Sequence, residues 1–168
     1  MLKEILSSEN FITEVVNMYS DTIYRVALHI TCNREDAYDV CQEVFLRLLN
    51  NKEKIKSDEH LKSWLIRTAV NCSKTVVLQA YNRRTVPIDE INENQLAVCQ
   101  LHNEDTTITK VMKLPEKYRM TIYLYYYQEQ SVAEIADILE ISQSGVKSRL
   151  ARGRKLLEKI IREEENYE

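Results

Sequence analysis

Between Lys147 and Arg162 the chain places seven cations, Lys147, Arg149, Arg152, Arg154, Lys155, Lys159 and Arg162, against the single carboxylate of Glu158. On a helix turning about 100° per residue, Ser144, Lys147, Ser148, Ala151, Arg152 and Lys155 share one face, and Arg149 and Arg154 flank it. Short polar side chains and arginine in the middle of a face can meet base edges. Cations at its sides suit phosphates, and together this is what a helix entering a duplex major groove requires. The competing reading of the same face is a solvated basic helix packed on an acidic partner.

Two further rows carry recognisable chemistry. Arg67, Lys74 and Tyr81 are spaced by seven and predict an outward stripe, with Val70, Asn71, Val77 and Leu78 beside them. Basic groups interleaved with apolar, amide and aromatic ones fit a single strand with unstacked bases better than a plain duplex. Trp64, next to the apolar Leu61 and Leu65 face, is expected in the core. Asp39, Gln42, Glu43 and Leu46 form an i, i+3, i+4, i+7 row, and an acidic and amide row with one leucine suits docking on a basic protein helix. A solvated face with an incidental leucine is the plainer alternative for that row.

Other chemistries find little support. Asp36 and Asp39 have D-x-x-D spacing, but no second carboxylate motif completes a Mg²⁺ site. Cys32, Cys41, Cys72 and Cys99 contain no C-x-x-C pair and read as free thiols rather than as a zinc or redox site. His29, His60 and His102 are scattered. Gly145 and Gly153 are the only glycines, so there is no Gly-rich phosphate loop.

The elements that must hold these residues are helices. Only 2 Gly and 2 Pro punctuate 168 residues, too few turn residues for a strand-rich fold. Ala37, Val40, Cys41, Val44, Phe45 and Leu48 make one apolar stripe, and Leu61, Leu65, Ala69, Cys72 and Val76 make another. The text from Thr85 to Thr106 has no sustained stripe and reads as an acidic linker with at most one short helix. Helical pattern resumes from Thr107, breaks at Leu114-Pro115, and ends in an acidic tail expected to fray. Ser131 with Glu134 predicts a capping box, opening a short helix that buries Val132, Ile135, Ala136 and Leu139. Glu140-Ile141-Ser142 is then a tight turn, with Ser142 capping a helix whose core stripe is Val146, Leu150, Gly153 and Leu157.

The net charge of −3 hides a partition: residues 59–84 carry five cations and one carboxylate, and residues 85–108 carry none and five. Local field rather than net charge steers a polyanion. No apolar stretch approaches the roughly 18 residues of a membrane span, and the N-terminus has no signal-peptide core. A cytoplasmic protein is expected.

DAYDVCQEVFLRLL, HLKSWLIRTAVNCSKTVVLQAYNRR and LPEKYRMTIYLYYYQEQSVAEIADILEISQSGVKSRLARGRKLL, in this order, resemble bacterial RNA polymerase sigma factors of the extracytoplasmic-function (ECF) group, the smallest members of the sigma-70 family. The resemblance implies an all-α protein with a sigma-2-like domain at 1–84, the linker at 85–106 and a sigma-4-like helix-turn-helix domain at 107–168. It implies a transcription initiation factor, not an enzyme, with no cofactor, metal or small-molecule substrate. Asp39, Gln42 and Glu43, with Leu46 completing the row, take the role of docking on the β′ coiled coil of core RNA polymerase. Arg67, Asn71 and Lys74 take that of melting the −10 element, Asn71 lining a pocket for a flipped base. Lys147, Ser148, Arg149 and Arg152, on the face that includes Ser144 and Lys155, bind the −35 element, while their domain docks on the β flap. An anti-sigma factor is a further expected partner. The chain departs from the family pattern at Ile66 and Val70, at Glu140 in place of a turn glycine, and at Gly153 in place of alanine. A free-standing helix-turn-helix regulator is the alternative, but it leaves the first half unexplained. A helical enzyme lacks a polar constellation.

Overall fold

The computed structural model describes residues 10–83 and 106–166. The chain divides into two compact units, Met1–Thr85 and Val86–Glu168. Seven α-helices and one 3₁₀ turn account for the described residues: α1 Phe11–Thr31, α2 Arg34–Asn51, the 3₁₀ turn Lys52–Lys54, α3 Asp58–Arg83, α4 Thr106–Met112, α5 Glu116–Tyr126, α6 Val132–Leu139 and α7 Gln143–Glu165. The fold is all-α. The expected linker lies, but for Thr106, outside the described residues.

In the first unit α1, α2 and α3 each pack on the other two. Only Cys32 and Asn33 separate α1 from α2, and both residues act on the backbone. Cys32 adopts the left-handed conformation and its N–H closes α1 onto the Leu28 carbonyl, while the Asn33 side chain accepts the Asp36 N–H at 3.0 Å. These are the stop and start signals of a helical hairpin. The core holds Ile23, Val26, Ala37, Val44, Leu48, Leu65, Ile66, Ala69 and Val70, among others, and Cys41, Phe45 and Val76 of the expected stripes are half-buried.

Two expectations are corrected here. Val70, expected beside the outward stripe of α3, is fully buried, as is Ile66. The reason is that α3 serves two neighbours at once, which widens its buried arc beyond that of a helix lying on one surface. Trp64 is half-buried, at the edge of the core rather than within it. Cys41 and Cys72 are free thiols, as expected. Cys99 lies outside the described residues.

The second unit packs three short helices, α4, α5 and α6, with the long α7. α7 packs on α4, α5 and α6, and α5 on α4 and α6. Pro115 sits at the N-cap of α5 and separates it from α4. Buried Arg119 ties that corner together, its Nη1 donating to the Met112 carbonyl at 3.1 Å and reaching Leu114 O at 3.5 Å. The turn from α5 to α6 buries Gln128 and Gln130, which donate to the Tyr123 hydroxyl and the Gln128 carbonyl. The expected frayed tail is corrected in part: α7 runs to Glu165, and Glu164 is ion-paired with Lys113 and, at 3.4 Å, with Lys110 of α4.

Candidate nucleic-acid interface

The helix-turn-helix forms by local rules. The Glu134 N–H donates to Ser131 Oγ at 3.2 Å and the Ser131 N–H to Glu134 Oε2 at 2.7 Å, so the capping box closes in both directions. α6 has eight residues, too few for an isolated helix to persist, and buries Ile135, Ala136, Ile138 and Leu139, with Val132 half-buried. Glu140 ends it with φ of 55°. The Ile141 N–H then returns to the Ala136 carbonyl at 3.0 Å, the closing bond of a left-handed helix stop. Glutamate in this conformation costs about 1 kcal/mol relative to glycine. Ser142 Oγ accepts the Gly145 N–H at 3.0 Å and starts α7.

α7 then separates its faces as the sequence predicts. Val146, Leu150 and Gly153 are buried and Leu157 half-buried, while Ser144, Lys147, Ser148, Ala151, Arg152 and Lys155 are all exposed. Arg149 is half-buried at the edge. Arg154 is exposed, but its Nε donates back to the Leu150 carbonyl at 3.2 Å. A Cβ built on Gly153 would stand 3.1 Å from Ile122 Cγ1, so glycine here permits a close approach of α7 to α5.

In the first unit, Arg67, Asn71 and Lys74 are exposed on one side of α3, with Leu78 60% exposed one turn further on. Thr68 and Thr75 direct their hydroxyls back to the Trp64 and Asn71 carbonyls, which leaves the amide and the two cations as the polar groups of that face. On α2, Asp39, Gln42 and Leu46 are exposed and Glu43 is half-exposed, its Oε1 held 2.6 Å from Arg47 Nε. The row is therefore less acidic than its sequence suggests, because Arg47 neutralises one of its two carboxylates. Burial pushes the Cys41 thiol up to about 11 and raises Cys72 also, so both remain protonated and unreactive near neutral pH. Among the described residues no cluster of His, Cys, Asp and Glu can hold a metal. No helix there is long and apolar enough to cross a membrane.

Sequence reasoning found the face of α7 and its caps, and it missed Arg119, the Glu164 ion pairs and the neighbours of Gly153. Of these only Gly153 left a trace, as a glycine on an apolar helical stripe.

A helical unit with an exposed acidic and amide row, joined to a helix-turn-helix unit with a basic reading face, defines the class: a two-part helical transcription factor. The comparisons with known proteins narrow it. Residues 15–82 match the model of Sigma-70 region 2, and residues 108–157 match that of Sigma-70, region 4. The chain is 31% identical to the ECF RNA polymerase sigma factor SigW of Bacillus subtilis, covering 89% of this chain and 88% of that one. It is 30% identical to SigM of the same organism, also an ECF RNA polymerase sigma factor, with 89% and 94% covered. Among solved structures it shares the fold of the sigma factor RpoE in the complex with the anti-sigma factor NepR from Bartonella quintana. That match has a TM-score of 0.71 and 15% identity, over 91% of this chain and 98% of that one. The chain belongs to the sigma-70 family, among the ECF RNA polymerase sigma factors, and acts in transcription initiation. The region 2 match accounts for the half of the chain that a free-standing helix-turn-helix regulator leaves without a role.

Proposed function

We propose that the two units divide promoter recognition between them. The first docks on the β′ coiled coil of core RNA polymerase through Asp39, Gln42, Glu43 and Leu46, and opens the −10 element with Arg67, Asn71 and Lys74. The second reads the −35 duplex with Ser144, Lys147, Ser148, Arg149, Arg152 and Lys155 and docks on the β flap. The chain does this in the cytoplasm, as a DNA-binding factor and not an enzyme, and an anti-sigma factor holds it inactive. That last partner is suggested by the structural neighbour RpoE, solved in complex with the anti-sigma factor NepR.

The observation that carries the reading is the face of α7, where every residue assigned to base edges is exposed while the stripe opposite is buried. Melting needs a source of free energy. Extruding a base costs a few kcal/mol, and binding energy from an amide and its neighbours is the source available on α3.

The test is run-off transcription with core enzyme on a promoter library. Asp39→Lys and Glu43→Lys are expected to weaken core binding, since each puts like charge against a basic partner helix. Asn71→Ala is expected to keep duplex binding, slow open-complex formation seen by permanganate reactivity, and recover on a pre-melted bubble. Arg152→Ala is expected to relax preference at one −35 position at a cost of about 1–3 kcal/mol. Arg149→Ala is expected to weaken all promoters alike and lower the salt slope by about one. Unchanged core affinity, or no rescue by the bubble, overturns the corresponding assignment.

A further inference from the structure

We infer that Glu158 ends the DNA-facing surface of α7 by holding Arg162 off the phosphates, an inference that rests on the assignment of α7 to the −35 duplex. Charge changes abruptly along this helix. Residues 143–157 hold five cations, Lys147, Arg149, Arg152, Arg154 and Lys155, and no carboxylate, whereas residues 158–165 hold two cations and four carboxylates. Both of those cations are paired within the helix. Arg162 Nη2 stands 2.5 Å from Glu158 Oε1, and Lys159 Nζ stands 3.7 Å from Glu163 Oε1. Glu164 is tied instead to Lys110 and Lys113 of α4.

Position gives the first of these pairs its bearing on DNA. Ala151, Lys155, Glu158 and Arg162 follow one another at i, i+4, i+7 and i+11, so Glu158 falls on the line of the reading face, one turn beyond Lys155. Arg162 leaves the backbone about 10 Å further along the axis than Lys155, but its side chain reaches back one turn to Glu158. The guanidinium therefore stands where the line of cations would continue. The side chains of Arg162 and Glu158 are 73% and 60% exposed, so a polyanion has access to both.

An exposed pair at i, i+4 contributes little to stability. Its consequence lies in the field that a duplex meets. A cation joined to a carboxylate adds no net charge to the surface, whereas each phosphate neutralised by a free cation steepens the salt dependence of binding by about 0.9. The run of seven cations in the sequence is thus five for the duplex. Glu158 keeps the sequence-independent part of the affinity below what the run alone would give.

The experiment measures, over a range of salt, the affinity of the full chain with core polymerase for a duplex bearing the −35 element and for a scrambled duplex. Wild type is compared with Glu158→Gln, Arg162→Gln and the double variant, and Arg149→Ala and Lys155→Ala serve as references for the face itself. Glu158→Gln is expected to bind both duplexes roughly two- to tenfold more tightly, the size of one net hydrogen bond, with a salt slope steeper by about one. Arg162→Gln and the double variant are expected to match wild type. Three results overturn the inference while leaving α7 on the duplex: no tightening by Glu158→Gln, a shallower slope in Arg162→Gln, or a tightening that survives in the double variant. If Arg149→Ala and Lys155→Ala both leave the slope as it was, the assignment of α7 fails and the inference fails with it.

Discussion

In the first unit the rows proposed to meet partners lie on the flanks of two long helices, α2 of 18 residues and α3 of 26. In the second unit the face proposed to read DNA begins in the first turn of α7, just after an eight-residue helix and a three-residue turn. The first unit thus holds its faces through three-way packing of long helices around apolar side chains; large apolar groups are exposed in both units, Tyr38, Leu46, Leu49 and Leu78 in the first and Tyr125, Tyr126 and Leu156 in the second. The second holds its face through devices that act residue by residue: a closed capping box, a left-handed Glu140, a serine cap and a glycine at the crossing. A helix proposed to enter a groove by its first turns needs that end set accurately, because base-edge contacts allow little displacement.

Five changes test that contrast, in descending order of expected effect. Leu65→Ala empties a fully buried position in the first unit and should cost about 3 kcal/mol. Trp64, the only tryptophan, reports that loss in urea unfolding, while amide exchange in α6 should stay as in wild type. Gly153→Val presses new carbon atoms on Ile122 and should destabilise the second unit by about 2 kcal/mol. If the Trp64 transition moves with it, the two units do not unfold independently and the comparison fails. Ser131→Ala removes the capping hydroxyl and should cost about 1 kcal/mol, read as faster exchange of the first amides of α6.

Glu140→Gly should run the other way, stabilising the second unit by about 0.5 kcal/mol, because glycine accepts the left-handed conformation but is freer when unfolded. A decrease in stability would mean that the Glu140 side chain contributes more than its backbone costs.

The smallest effect is expected at the end of α7. Hydrogen bonds from Lys113, then the charges of Lys113 and Lys110, hold the Glu164 carboxyl below the usual carboxylate range. A depressed folded value contributes stability above the unfolded value, and that contribution is lost as pH falls through the folded one. Glu164→Gln should therefore lower Tm slightly at neutral pH and low salt, and match wild type once the pH is below the folded value. A difference that persists in acid would assign the effect to packing instead of charge.

What the sequence determined by itself is local. Pro115, the Ser131–Glu134 pair and Ser142 set where helices stop and start, because each acts on backbone groups within a few residues. The exposed rows of α7 and α2 were legible because one helical period fixes which side chains share a side. Only the tertiary structure decided how wide the buried side is and which distant groups meet. Val70 and Ile66 went inward because α3 carries two neighbours, a fact that no single-helix pattern contains. The contacts of Arg119 with the end of α4 and of Glu164 with Lys110 and Lys113 depend on the crossing geometry of helices. That geometry is set by the joint packing of the side chains between them, Gly153 and Ile122 above all, and not by any one segment read alone.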